Sequence, residues 1–153
     1  MNFNDVLKTK GNEIERPPLI PVGTYRAAVA KCAQGEAGQD WDTIDFQLGL
    51  IEAQSDVDPD ELAKYGSLKS SQVRHSFMFS KKGDDEAATA RTLFNLKRFL
   101  SETLKVENID NMSIKEALTQ VQGRQLLVQI GLRPDKNDTE TFYNQVKKTA
   151  PLE

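Results

Sequence analysis

The sequence predicts a mainly β protein with a helical insert, an α+β fold, and three observations carry that expectation. Apolar and polar residues alternate with period two in five separate stretches. Between the third and fourth of these, Ala90, Leu93, Phe94, Leu96, Lys97 and Leu100 instead follow helical spacing, with Phe99 beside them. The longest apolar runs, such as Gln125 to Leu132, fall far short of the ~20 residues a membrane-spanning helix needs.

Met1 to Val22 reads as an arm, because Asn12 to Arg16 is charged and Pro17, Pro18 and Pro21 block regular pairing. Val22-Gly23 opens a first strand, Thr24 to Cys32, with Tyr25, Ala27 and Val29 on one face. Gln34 to Gln39, holding Gly35 and Gly38, reads as a turn. In the second strand, Trp41 to Ile51, Ile44, Phe46, Leu48 and Leu50 face a core. Trp41 then points outward, where it serves a ligand or folds over the core edge. Gln54 to Gly66 interrupts the sheet. Asp58-Pro59-Asp60-Glu61 is a helix N-cap, a proline at the first helical position and acids in the first turn. Asp56, Asp58 and Asp60 match the start of a calcium loop, but Glu61 stands where its glycine belongs and Ser67 where its bidentate Glu belongs, so capping is the better reading.

The third strand spans Ser70 to Ser80. Val73, His75, Phe77 and Phe79 share its core-facing side, which makes His75 a partly buried structural residue. Whether Phe77 and Phe79 pack or stack on a ligand stays open. Lys81-Lys82-Gly83 is a turn. Asp84-Asp85-Glu86 starts a helix that runs to about Leu104. Ser113 to Glu116 is a capping box for a short helix that Gly123 terminates. The fourth strand is Arg124 to Arg133, with Leu126, Val128, Ile130 and Leu132 inward. After a turn at Asp135 to Asp138, the fifth is Glu140 to Lys148. Three strands, a helix and two strands is the element order of a five-stranded OB-fold Greek-key barrel, its helix between strands three and four. One such domain over residues 23–150, with the arm 1–22 and a short tail 151–153, suits a chain of 153 residues.

Composition excludes several functions. One Cys and one His cannot supply a Cys/His zinc site, and Cys32 permits no internal disulfide, so a reducing, cytoplasmic setting is expected. No phosphate-binding glycine loop and no nucleophile elbow is present. Asp42 and Asp45 fall on opposite faces of their strand, which argues against a paired-carboxylate enzyme. No cofactor or metal is expected. Met1-Asn2-Phe3-Asn4-Asp5 predicts no secretory signal. Net charge is −3, but unevenly spread: residues 1–62 hold 12 acids and 5 bases, while 63–153 hold 11 acids and 15 bases. Ala63 to Lys82 carries Lys64, Lys69, Arg74, Lys81 and Lys82 with no acid. That local basic field is a candidate anion-binding surface.

Pro21-Val22-Gly23-Thr24-Tyr25 opening strand one, Gly123-Arg124 opening strand four, and Tyr143-Asn144-Gln145-Val146-Lys147-Lys148 before Thr149-Ala150-Pro151 resemble phage-encoded single-stranded DNA-binding proteins with an OB fold. The resemblance covers Pro21 to Pro151. It implies a sequence-tolerant single-strand binder in phage replication and recombination, acting in the host cytoplasm beside other replication or recombination proteins. Many such proteins carry an acidic C-terminal tail; this sequence has one acid, Glu153, after Tyr143. The residues support the same function on their own. Single-strand binding needs rings for bases and cations for phosphates. Outward strand positions supply Trp41, Tyr143, Arg26, Arg74 and Lys147, and Lys69, Lys81 and Lys82 lie in adjoining loops. The alternative is an OB-like interaction or adaptor module that binds no nucleic acid, favoured by the acidic first half. Oligomeric state, a homo-oligomer included, is not legible.

Overall fold

The computed structural model describes residues 2–14, 16–83 and 85–152. Asp84 and Glu153, which figured in the readings of the helix start and the tail, lie outside these. Five antiparallel strands form one sheet: β1 (Gly23–Ala37), β2 (Trp41–Ala53), β3 (Gln72–Ser80), β4 (Gln125–Pro134) and β5 (Phe142–Ala150), in the order β3-β2-β1-β4-β5. Helix α1 (Phe3–Lys8) lies in the arm and α2 (Pro59–Tyr65) joins β2 to β3; α3 (Glu86–Arg98) and α4 (Ile114–Leu118) fall between β3 and β4. The fold is thus mainly β, with α2, α3 and α4 inserted where expected. Its two edge strands, β3 and β5, come close to one another, and the helical segment after α3 touches both sides of that gap. Among the described residues no helix is long and apolar enough to cross a membrane.

The core lies on the sheet face that the alternation marks. Tyr25, Ala27, Val29, Phe46, Leu48, Leu50, Val73, Phe77, Leu126, Val128 and Ile130 are all buried there. Leu96, Phe99, Leu100 and Leu104 cover them. Phe99 meets Phe46 at 4.9 Å, Phe77 at 5.4 Å and His75 at 5.1 Å between ring centroids, so one ring joins two strands to the helical insert. His75 is half-buried beside these rings, and burial pulls its imidazole below its ordinary range. Tyr25 donates to the carbonyl of Pro21 at 2.6 Å, and burial, with help from Tyr65, Asp56 and Glu61, pushes its phenol up to about 12.

Four expectations need correction. The long strand β1 runs through the segment read as a turn, because Gly35 pairs with Thr43 and Glu36 with Asp42; the reversal is confined to Gly38-Gln39-Asp40. Gly35 is there for close approach: a Cβ on it would stand 2.6 Å from an Asp45 carboxylate oxygen. The helical stripe is also displaced. Leu93 and Phe94 are 42% and 59% exposed and Ala90 and Lys97 are exposed, whereas Phe99 is buried. The face turned to the sheet runs instead through Ala88, Thr89 and Thr92, which are partly covered, to the buried Leu96, Phe99 and Leu100, and the segment continues as a π-turn over Phe99–Thr103. Leu132 is 38% exposed rather than inward, since β4 overhangs β1 beyond the Gly23–Ile130 pair. Finally, the arm is not irregular throughout. Asn2 and Asp5 form a capping box on α1, and Ile20 is buried. Asn144 clamps the arm there, accepting from the Ile20 amide and donating to its carbonyl, both at 2.9 Å.

The loop between β2 and β3 behaves as its residue types dictate. Asp58 accepts from the amides of Asp60 and Glu61 and so caps α2, and Gly66 closes that helix with φ at +94°. Asp56 accepts from the Thr24 amide at 2.9 Å and hydroxyl at 2.8 Å, tying the loop to β1. Those two bonds hold its carboxyl below the usual range.

Candidate nucleic-acid interface

The outward face of β1, β2 and β3 is set by strand register. Lys31 pairs with Gln47 and Gln47 with Arg74, so two cations flank an amide in one row across three strands. Ala28 and Gly49 form the next row, leaving backbone close to the surface. Toward the other end of the same face come Asp45 with Ser76, Thr43 with Met78, and Trp41 with Ser80. Trp41 and Met78 are each 41% exposed. Asp45 accepts from the hydroxyls of Ser76 at 2.6 Å and Thr43 at 3.1 Å, which satisfies the one acid in the middle of this face.

Beyond Trp41 the face ends in a cleft of about 720 Å³ between the β2 and β3 ends and the first turns of α3. Trp41, Met78 and Lys82 line it together with Asp40 and Asp85. The same end holds Lys81, but its ammonium sits 2.8 Å from Glu36 and 3.9 Å from Asp42. That hydrogen-bonded pair raises the Lys81 ammonium and lowers the Glu36 carboxyl. Lys81 is therefore already engaged, which the acid-free run of sequence around it did not reveal, because its partners come from the β1–β2 hairpin.

A second group lies on β4 and β5. A bulge leaves Lys147 between the Gln129–Lys148 and Ile130–Val146 pairs, so Lys147 and Lys148 are both exposed side by side. Lys147 crosses the bare Gly131 and donates to Gln145 at 2.9 Å. Tyr143 donates to Asp135 at 2.9 Å, which raises its phenol, and the guanidiniums of Arg16 and Arg133 lie 4.7 and 5.1 Å from its ring centroid. A base can stack on Tyr143 only by displacing or covering a guanidinium. Arg26, between the two groups, pairs with Glu52 at 3.5 Å and donates to Gln125 at 3.0 Å.

The structure thus gathers Trp41, Arg74 and Lys82 on one part of the sheet, and Tyr143 and Lys147 on another. It leaves Lys69 exposed in the turn before β3. Trp41 sits at the far end of β1 and Tyr143 past its near end. The 15 residues of β1, roughly 50 Å of contour at about 3.3 Å each, lie between them, so the two rings belong to separate parts of the surface. Lys31, Met78, Arg16, Arg133 and Lys148 belong to these surfaces and were not singled out from the sequence. Lys148 adjoins a residue that was. Lys31 lies past a register shift that moves it onto the outward face, which periodicity alone cannot locate. No protein-family model matches the chain, and no curated protein matches it.

Proposed function

We propose that this chain is a sequence-tolerant single-stranded DNA-binding protein built on an OB-like barrel, in which the helical segment after α3 fills the gap between β3 and β5. The observation that carries the reading is the outward face of β1–β3. It offers a cationic row, Lys31 and Arg74, and two exposed soft or aromatic side chains, Met78 and Trp41, with the hydrogen-bonded Asp45 and Ser76 between them. Cations meet phosphates and the ring meets a base, which is the combination single strands require and duplexes, with bases hidden, do not. The strand order, with β4 returning beside β1 after the helical connection, supports the Greek-key barrel. The resemblance to phage single-strand binders points to replication and recombination as the setting. The decisive experiment titrates a labelled oligothymidine and a matched duplex at low and high salt. Binding of the single strand well above the duplex, weakened by salt, is the expected result; equal affinity, or none at low salt, rejects the proposal.

A second reading has its own observation. Leu93 and Phe94 are exposed side by side on α3, as an adaptor that contacts protein would have them. Absence of oligonucleotide binding in the same titration favours that reading.

A further inference from the structure

The cleft at Trp41 is not lined as a plain stacking platform would be. We infer that it receives one unpaired base bearing an exocyclic amino group, cytosine, adenine or guanine rather than thymine, with the ring stacked on Trp41 and its amino group donating to Asp40 or Asp85. This rests on the proposed single-strand binding and adds a base preference to it. Trp41 is 41% exposed and Met78 stands next to it in the cleft, giving an apolar surface for a base. Among the described residues the charged groups at the rim are two carboxylates, Asp40 and Asp85, and one ammonium, Lys82. Carboxylates repel phosphate and suit thymine poorly, because its Watson–Crick edge offers them one N–H flanked by two carbonyls that repel the carboxylate. They accept well from the amino groups of cytosine, adenine and guanine. Asp85 spends one oxygen on the Ala88 amide, at 3.0 Å, and among the described residues nothing donates to the other. Lys82 is the group suited to the phosphate attached to that base. The volume of about 720 Å³ lies within the range of ordinary small-ligand sites.

The test follows Trp41 emission, the only tryptophan in the chain, together with anisotropy of labelled ten-mers of deoxycytidine and of thymidine at one salt concentration. Deoxycytidine is expected to bind about five- to tenfold tighter and to quench emission. Asp40→Asn combined with Asp85→Asn, an exchange that keeps a capping side chain on α3, is expected to bring the ratio near one. Equal or tighter binding of thymidine, an unchanged ratio in the double variant, or binding without a change in emission overturns the inference while leaving single-strand binding intact. Quenching by an arginine-rich peptide and by neither oligonucleotide overturns it in favour of a protein partner. Failure of both ten-mers to bind at low salt removes the single-strand reading itself, and this inference with it.

Discussion

Trp41 and His75 show how one side chain can be assigned a role by its surroundings. Trp41 is half in solvent, so Trp41→Ala should leave thermal stability nearly unchanged while weakening oligonucleotide binding by about 1–3 kcal/mol. A large fall in melting temperature with unchanged affinity would return Trp41 to packing. His75 is held neutral by the aromatic rings around it, its imidazole lowered from 6.5 by burial. Protonation is therefore easier in the unfolded chain. Stability is insensitive to this group above about pH 6.5 and is lost as pH falls from there through the lower folded value. Melting curves between pH 7.5 and 5 should show a steeper decline for the native chain than for His75→Phe. Equal slopes would mean that His75 is as open to protons in the fold as outside it.

At the scale of elements, the clamp by Asn144 makes the arm part of the sheet's support rather than a free leader. Asn144→Ala strips both bonds from Ile20 and leaves its amide and carbonyl without side-chain partners, a change expected to cost about 1–3 kcal/mol. Proteolysis of the arm should accelerate in that variant, and an unchanged cleavage rate would show that Ile20 packing alone holds it. The strands show what was legible and what was not. The faces of β1 and β2 were readable because alternation is a property of the local chain, and Tyr25, Phe46 and Leu48 are buried as it requires. The stripe on α3 was misread because helical spacing at Ala90, Leu93 and Phe94 is equally local, but whether a sheet lies beneath those residues is not.

Phe99 ties the helical insert to the sheet at the scale of the whole molecule. Its ring touches Phe46 on β2 and Phe77 and His75 on β3, so Phe99→Ala should cost about 3–5 kcal/mol, read as a lowered denaturation midpoint. A loss below 1 kcal/mol would show that the helical segment is not needed to hold the strands. The charge distribution also acts at this scale. An overall charge of −3 hides a cationic row at Lys31 and Arg74, while Lys81 is held by Glu36 and Asp42 at the hairpin end. Replacing both Lys31 and Arg74 by Gln should reduce the slope of log affinity against log salt by roughly 1.4, about 0.7 for each lost phosphate contact. Lys81→Gln should leave that slope nearly unchanged. A slope unaffected by the first pair would place the phosphate track elsewhere, with the Lys147–Lys148 bulge next to be tested.

The sequence by itself determined the number and order of strands, the capped helix after Asp58, the helical insert before β4, and the two faces of β2 and of β1 as far as Val29. Each of these follows from spacing, capping and turn chemistry within a few residues. Only the tertiary structure decided which cations pair with acids, where the helix meets the sheet, and which residues share a surface. Lys81 finds Glu36 from 45 positions away, Lys31 joins Arg74 through Gln47, and Trp41 and Tyr143 part to opposite ends of the sheet. The physical reason is common to all three. A side chain's direction follows from its own strand, but its neighbours follow from cross-strand register and bulges, and register is settled only when the whole sheet pairs.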